Sequence, residues 1–396
     1  MRYLKPHYYE RFRCAADQCP DTCCAGWQIM IDEDAMERYM RMEGAFGSRL
    51  ANGIDWREGC FLQYYGRCSM LNDSNLCDLV VEQGKESLCE TCARYPRHVE
   101  EYEGVREWSL SLSCPVAAEI IVSEREPVRF LIEENEEEDP LEDEFEDFDL
   151  FLFTKLEDAR NVLFGIAQDR DMQTEQRGRL ILNMAEKMQR CLDEDRLCDI
   201  DGIISQFGGQ CQETGESKEN SMMAADKTGQ YWNEPEEEER FLLLKRHFEV
   251  FRQLEVLRDD WSVVMDETAE TLFADYEVYQ VIRREFLAEY GVGGRHFESW
   301  EIFRENVLMF FLYTYFCGAV YDDRIYSKAA LCVFSMLFIE EFVMCRWYLS
   351  DKYISRSECV RMAYRYAREV EHSDNNLDLL EEWLQRNPLK LKGTEQ

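Results

Sequence analysis

From Leu150 towards the C-terminus, apolar residues return every three or four positions, the spacing of helices with one buried face. Leu152, Leu156, Ala159, Leu163 and Ile166 share one such face, and Leu180, Ile181, Met184, Met188 and Leu192 share another. Further helices are predicted at about 240–258, 262–290, 299–320, 327–350, 356–372 and 375–386. Ser355-x-x-Glu358 reads as a capping box, Asp374 reads as an N-cap, and Gly291-Val-Gly-Gly294 separates two of the helices. Val307 to Val320 is the most apolar stretch, but at 14 residues it is shorter than the roughly 20 that span a bilayer. Ala329 to Leu349 is interrupted by Glu340, Glu341 and Arg346. Both are expected to be buried core helices, so no membrane partner is expected. Residues 208–239 are rich in Gly, Ser, Glu and Asn without periodicity, and a mobile loop is expected there. With no internal repeat and no alternation of strands and helices, a doubly wound sheet is not expected. Residues 151–396 read as one helical domain.

The first 125 residues follow another pattern. Ten of the 17 cysteines lie within the first 114 residues: Cys14, Cys19, Cys23, Cys24, Cys60, Cys68, Cys77, Cys89, Cys92 and Cys114. The opening Met1-Arg2-Tyr3-Leu4-Lys5-Pro6 has no apolar export segment, so a cytoplasmic location is expected. In a reducing compartment dense cysteines read as metal ligands, not as disulfides. Cys14-x4-Cys19-x3-Cys23-Cys24 is one group; Cys68-x8-Cys77-x11-Cys89-x2-Cys92 is a second, and Ser113-Cys114-Pro115 follows, with Pro115 stiffening the turn. The expected metal ligands are Cys14, Cys19, Cys23, Cys24, Cys68, Cys77, Cys92 and Cys114, with Cys60 and Cys89 in reserve. All-thiolate sites suit an iron–sulfur cluster or zinc. Arg94 and Arg97 are expected to offset thiolate charge. The scattered later cysteines read as small buried hydrophobes. The fold class is therefore mainly α, a cysteine-rich metal-binding N-terminal unit packed on a C-terminal helical bundle. Trp27, Trp56 and Trp108, too much apolar surface for so small a unit, argue for that packing.

Charge narrows the partners. Asp and Glu number 81 against 45 Lys and Arg, a net charge of −36. Such a chain has no footprint for a phosphate backbone, so nucleic acid is not an expected partner, whereas a lysine-bearing protein is. Residues 133–149 hold 12 carboxylates and no base, and residues 126–150 read as a self-repelling acidic linker. Phe145 and Phe148 within it leave open a docking strip for a basic partner.

Several of these strings resemble the flagellin lysine N-methylase family. They are Phe12-x-Cys14, Cys19-Pro-Asp-Thr-Cys-Cys24 with Gly26-Trp27 and Ile31-Asp32, Cys68-Ser-Met-Leu, Leu76-Cys77, Gly84-Lys-Glu-Ser-Leu-Cys-Glu-Thr-Cys92-Ala-Arg-Tyr-Pro-Arg97 and Ser111-Leu-Ser-Cys114-Pro115. Glu305-Asn306-x3-Phe310-x-Leu312-Tyr313 and Val370-Glu371-His372-Ser373 are similar to its C-terminal helical signatures. The resemblance implies methyl transfer from S-adenosylmethionine to lysines of flagellin, and an iron–sulfur cluster on the N-terminal cysteines. The chain departs from common methyl-donor patterns: it has no Gly-x-Gly-x-Gly turn after a strand, and no Cys-x3-Cys-x2-Cys.

Methylating a lysine requires removal of a proton from its ammonium and an in-line approach to the methyl carbon. A carboxylate or Tyr in an aromatic-lined pocket supplies both the base and a cation–π hold. Tyr313, Tyr315, Phe316, Tyr321 and Tyr326 lie close in sequence and are candidates, or else core aromatics of a bundle. Glu305-Asn306 and Glu371-His372 are candidates to face a common cleft, or else surface and capping groups. An imidazolium at His372 is expected to be favoured by the helix C-terminus. Two other readings stay open: a metal-binding interaction module without catalysis, and an adaptor docking through its acidic strip.

Overall fold

The computed structural model describes residues 1–136, 139, 145, 148–212 and 234–391, with side chains at 210–212 and 234–236 left aside. Most of the acidic run at 133–149 and the centre of the loop expected at 208–239 lie outside the described residues. The N-terminal part contains β1 (Arg2–Pro6), α1 (Glu33–Met40), α2 (Gly44–Asn52), β2 (Ile54–Asp55), β3 (Cys60–Phe61), β4 (Gln63–Tyr64) and β5 (Arg67–Cys68). It continues with α3 (Asp78–Gln83), α4 (Glu90–Arg94), β6 (Arg97–Tyr102), β7 (Val105–Leu110), α5 (Pro115–Val122) and β8 (Phe130–Glu134). The helical part runs through α6 (Leu150–Ala167), α7 (Thr174–Asp193), α8 (Ile200–Gln212), α9 (Glu234–Phe248), α10 (Asp259–Thr271), α11 (Tyr276–Tyr290), α12 (Phe297–Tyr315), α13 (Ile325–Leu349), α14 (Arg356–Glu371) and α15 (Asp374–Arg386). The fold is mainly α.

A four-stranded sheet in the order β6-β7-β1-β8 joins the start of the chain to residues 97–134. β1 runs parallel to β7 and antiparallel to β8, and β6 and β7 form a hairpin pairing Tyr102 with Val105. Gly104 turns that hairpin at φ +67°, where a side chain would be strained. The alternation that would have announced these strands is broken by carboxylates and arginines, such as Glu100, Glu101, Arg106 and Glu107.

Two cores result. Residues 29–89 enclose a small one around Ile29, Tyr39, Leu50, Phe61, Met70 and Leu79. The large one is continuous from Leu4, Tyr8, Leu110 and Ala118 into the helices, so the N-terminal unit is packed on the bundle. Arg160 of α6 ties the two together; its Nη1 donates to Glu107 of β7 at 2.6 Å in a pair that is almost wholly buried. The predicted faces of α6 and α7 point inward, although Leu180 and Leu192 are only partly buried.

α13 is buried along nearly its whole length, including the polar residues that interrupt its apolar run. Glu340 accepts from Arg283 at 3.2 Å and Arg240 at 3.3 Å and lies 2.8 Å from Nε of Arg304. Glu341 accepts from Arg240 at 2.8 Å and from the Tyr279 hydroxyl at 3.1 Å. Charges with this little water are tolerable only because they are paired. Among the described residues no helix is long and apolar enough to cross a membrane.

Local signals fared unevenly. Ser355 caps α14 by accepting from Glu358 N at 3.2 Å, as the capping box predicts. The cap of α15 is Ser373, which accepts from Asn376 N, and Asp374 is the first helical residue instead. The helix expected at 262–290 is two, because Asp275 caps α11 through Val278 N. Phe148 packs on Tyr102 and Phe153, and Phe145 packs on Phe148, so these aromatics face their own chain instead of a partner.

Replacing Glu340 by Gln removes the charge that three buried guanidinium groups share. Glu340→Gln is expected to lose about 3–5 kcal/mol of stability, read as a lower denaturant midpoint. A loss below about 1 kcal/mol would mean that the network is solvated and behaves like a surface pair.

Candidate active site

The N-terminal cysteines fall into two neighbourhoods that meet where the side chains of Cys23 and Cys24 touch. The thiol of Cys23 is raised by its contact with Cys24, by burial and by the nearby Cys114 and Cys14. Cys19 is raised by burial, with Cys14 adding to it, and Cys114 is pushed up to about 11 by burial, with Cys19 close by. On the other side burial pushes Cys68 up to about 12, with Cys24 and Cys77 as its charged neighbours. Cys92 contacts Cys89 and feels Cys24 and Cys68. Backbone bonds set this division. Cys68 N donates to Cys24 O at 2.9 Å, and a bridge between Leu71 and Cys77 folds the next thiol back. Cys114 is the residue before α5, with Pro115 in that helix's first turn. Cys60 accepts from Gln28 Nε2 at 3.3 Å, and Cys89 Sγ donates to Met30 O at 3.7 Å. Among the described residues no three His, Cys, Asp or Glu side chains close tightly enough to hold an ion as they stand.

The guanidinium groups beside these thiols are not those expected from the sequence. Arg94 pairs with Glu90, and Arg97 lies over the rings of Tyr9 and Phe12 at 5.8 and 5.2 Å. Arg368 of α14 and Arg67 take that place: Arg368 opposes the burial that raises Cys19 and Cys114, and Arg67 adds to the contact with Cys23 that lowers Cys24. Arg368 Nε donates to Ser113 O at 2.8 Å, its Nη2 donates to Asp21 O at 3.0 Å, and its Nη1 lies 2.9 Å from the Asp21 carboxylate. One buried side chain of the helical part thus fixes the first cysteine loop and the residue before Cys114.

Next to this seam a cleft of about 590 Å³ opens between β6, α12 and the C-terminal end of α14. Glu371 accepts from Tyr315 Oη at 2.9 Å and from Ser111 Oγ at 3.1 Å. Burial raises its pKa to about 7, more than those hydrogen bonds and the nearby His98 lower it. His372 forms a 2.8 Å hydrogen bond with Ser113 Oγ, and Trp27 and Tyr95 pack on its ring at 4.8 and 5.9 Å. Burial, with Arg368 behind it, lowers His372 to about 3, so the ring is neutral, contrary to the imidazolium expected from the helix terminus. The end of a helix dipole is outweighed here by desolvation and a cation. Partial burial opposes charge on the half-exposed His98, but its bond to Glu100, with Glu371 and Glu101 near, raises its pKa. The arrangement offers a proton acceptor poised near neutrality under an aromatic wall.

The other candidates lie elsewhere. Glu305 is buried against Arg170 and Arg177, and Asn306 Nδ2 donates to Glu124 O, so neither meets Glu371 in the cleft. Both point into a polar part of the core that helix periodicity does not reveal. Tyr313 donates to Leu4 O, Tyr326 Oη accepts from Leu389 N, and Phe316 is core. Tyr321 donates to Glu101 O at one end of the cleft. Tyr95, His98, Ser111 and Ser113 carry no assignment from the sequence, although three of them sit inside the cysteine strings that resemble the family. A second cavity, of about 650 Å³, lies against Tyr290, Trp300 and Arg356 at the other end of α12 and α14. α14 has 16 residues, or about 24 Å at 1.5 Å per residue, so a molecule bound there is out of reach of Glu371.

Residues 160–392 match the family described as the FliB lysine N-methylase C-terminal domain. A flagellar biosynthetic protein FliU of Salmonella muenchen is 28% identical over 129 residues, which are 30% of this chain and 76% of that protein. Lysine-N-methylases of Salmonella typhimurium and Salmonella choleraesuis are 28% and 27% identical over 129 residues, and the match spans 32% of each. The chain thus aligns with about a third of the length of these two methylases. No solved structure matches.

The raised pKa of Glu371 has a consequence for stability. Its value is 4.5 when unperturbed and about 7 in the fold, so between those values the folded chain keeps a proton that the unfolded chain releases. The group therefore favours folding below this window, and that contribution is lost as pH rises through it. Glu371→Gln, which cannot ionise, is expected to gain on the wild type in melting temperature between about pH 5 and about pH 8. If the two proteins keep the same gap at both pH values, the carboxyl has ordinary acidity.

Proposed function

The chain belongs to the FliB lysine N-methylase family, and from that premise we propose that it methylates lysine side chains of a protein, with flagellin, which the resemblance of its cysteine strings implies, as the substrate; one relative is named a flagellar biosynthetic protein and others lysine-N-methylases. The observation that carries this reading is Glu371, raised to about 7 and bonded to Tyr315 and Ser111 beside Trp27, Tyr95 and His372. A lysine ammonium entering the cleft meets aromatic faces and a carboxylate. Desolvation there lowers the pKa of the ammonium, and the Glu371 carboxylate takes its proton. Tyr315 and Ser111 donate to that carboxylate and hold it in place. The neutral amine then attacks the methyl carbon, and the carbon–sulfur bond breaks with its electron pair left on sulfur. The methyl donor we infer is S-adenosylmethionine, whose sulfonium supplies the activated methyl group. In-line transfer brings the reacting atoms to about 3–3.5 Å, so donor and acceptor share this cleft. Glu100, Glu101 and Asp374 offer carboxylates for the positive end of the donor.

The thiols fit a metal by donor chemistry. Burial and neighbouring sulfur raise the thiols of Cys19, Cys23, Cys68, Cys77, Cys92 and Cys114, and a cation among them would relieve that repulsion. We propose that Cys14, Cys19, Cys23 and Cys114 hold one group and Cys24, Cys68, Cys77 and Cys92 another, as iron–sulfur clusters, with zinc as the alternative. An iron–sulfur cluster supplies electron transfer, whereas zinc knots the loops together. The small core at residues 29–89 favours a second reading for the group at Cys24, a structural staple without a part in catalysis.

Incubation with labelled S-adenosylmethionine and a lysine-bearing protein tests the activity. Glu371→Gln is expected to lower turnover about 10²- to 10⁴-fold while donor binding persists; turnover equal to the wild type's would remove Glu371 as the base. Anaerobic purification with iron and sulfide analysis tests the thiols. Cys68→Ser and Cys114→Ser are each expected to lose about half of the metal, as befits two separate groups. A full complement in both variants would exclude these residues as ligands.

A further inference from the structure

β6 is the outer strand of the sheet, and its free edge faces the cleft. Five consecutive residues, Arg97 to Glu101, line the cavity. Successive side chains of a strand point to opposite faces, so a cavity lined by all five wraps the edge of the strand, and the lining by Ser109 of β7 shows that it also reaches over one face. The register identifies the backbone groups on that edge. Tyr102 pairs with Val105 across a two-residue turn, and Ser111 N donates to Pro96 O at 2.7 Å. Hydrogen-bonded pairs alternate with non-hydrogen-bonded ones, so Tyr102, Glu100 and His98 bond to β7, while Glu101, Val99 and Arg97 turn their N–H and C=O outward. The Glu101 carbonyl is taken by Tyr321. Among the described residues the outward N–H and C=O groups of Arg97 and Val99 have no partner. They lie two residues, about 7 Å, apart on a strand that leads past His98 towards Glu371.

We infer that the protein substrate docks as an extended strand added to β6, with its lysine delivered into the aromatic end of the cleft. This rests on the lysine-methylation reading of the same cleft and adds how the substrate is held. Unpaired strand edges are templates for a further strand, and the main-chain bonds give affinity without dictating sequence. The charge of the cleft selects a basic occupant. Glu90, Glu100, Glu101, Glu371 and Asp374 line it against Arg94 and Arg97. Arg94 is engaged by Glu90, and the guanidinium of Arg97 is turned onto the rings of Tyr9 and Phe12. An extended segment with lysines matches both the ladder and the carboxylates.

The test uses the full chain and a fluorescein-labelled peptide of alternating valine and threonine with one central lysine and a lysine at each end. Val99→Pro deletes an N–H that faces the cleft and leaves the β6–β7 ladder intact, a placement on an edge strand that proline tolerates. Its affinity for the peptide, read by anisotropy, is expected to fall about tenfold, and in the wild type the peptide is expected to slow amide exchange at Arg97 and Val99. Should Val99→Pro unfold, backbone N-methylation along the peptide gives the same answer with the wild-type protein. Methylation at every second residue is expected to weaken binding about tenfold, and at the intervening residues little. No peptide binding, equal affinity for the variant, or an N-methyl series without alternation would overturn strand docking. Bound peptide that shows this alternation but never acquires a methyl group would count against lysine methylation alone.

Discussion

The guanidinium of Arg368 holds the two parts of the molecule in the relation that the cleft requires. It is buried, and it is bound to Ser113 O, Asp21 O and the Asp21 carboxylate, all groups of the cysteine-rich unit. A buried guanidinium left without these partners would carry a desolvation cost of several kcal/mol, so α14 and the first cysteine loop are fixed together or not at all. Everything near the chemistry inherits that fixation. Ser113 is positioned on one side, and on the other α14 ends one turn later in Glu371 and His372. The aromatic wall comes from both parts, with Trp27 and Tyr95 from the N-terminal unit and His372 from the helical one. Neither part contains the cleft alone.

The helical bundle supplies the rigidity behind this arrangement. Its central helix, α13, carries two adjacent carboxylates into the core, where arginines from α9, α11 and α12 meet them. Ion pairs so deep contribute little net stability compared with an apolar core of the same shape, but they penalise any packing that leaves one charge unpaired. That penalty constrains the orientation of α12, which carries Tyr315 to the cleft. The same helix and α14 reach the second cavity at their other ends, so the two hollows are separated by the length of the bundle.

Electrostatics works at two scales. The net charge of −36 gives a field that favours lysine-rich surfaces, but it fades within a Debye length of about 8 Å at physiological salt. Inside the cleft burial matters more than the overall field. It lifts Glu371 towards neutrality and drives His372 to its neutral form within one turn of the same helix end. Adjacent residues are pushed in opposite senses of charge with the same outcome, two groups that can carry or share a proton without a permanent charge.

The sequence by itself determined the helical half, the caps at Ser355 and the inward faces of α6 and α7, because three-to-four-residue periodicity and capping are local properties of the chain. It also set apart the cysteine-rich unit and pointed to Val370-Glu371-His372-Ser373 and the strings that resemble the methylase family. It did not reveal the four-stranded sheet, whose strands are short, interrupted by charges and drawn from residues 2–6 and 97–134. Nor did it reveal that Glu305 and Asn306 lie in the core, since a buried ion pair looks like a solvated face until its partners on other helices are known. The division of adjacent Cys23 and Cys24 between two neighbourhoods, the substitution of Arg368 and Arg67 for Arg94 and Arg97 beside the thiols, and the meeting of Glu371 with Tyr315, Ser111 and His98 were decided by tertiary structure alone. Each joins residues far apart in the chain, and only packing, desolvation and the pairing of charges determine which of them meet.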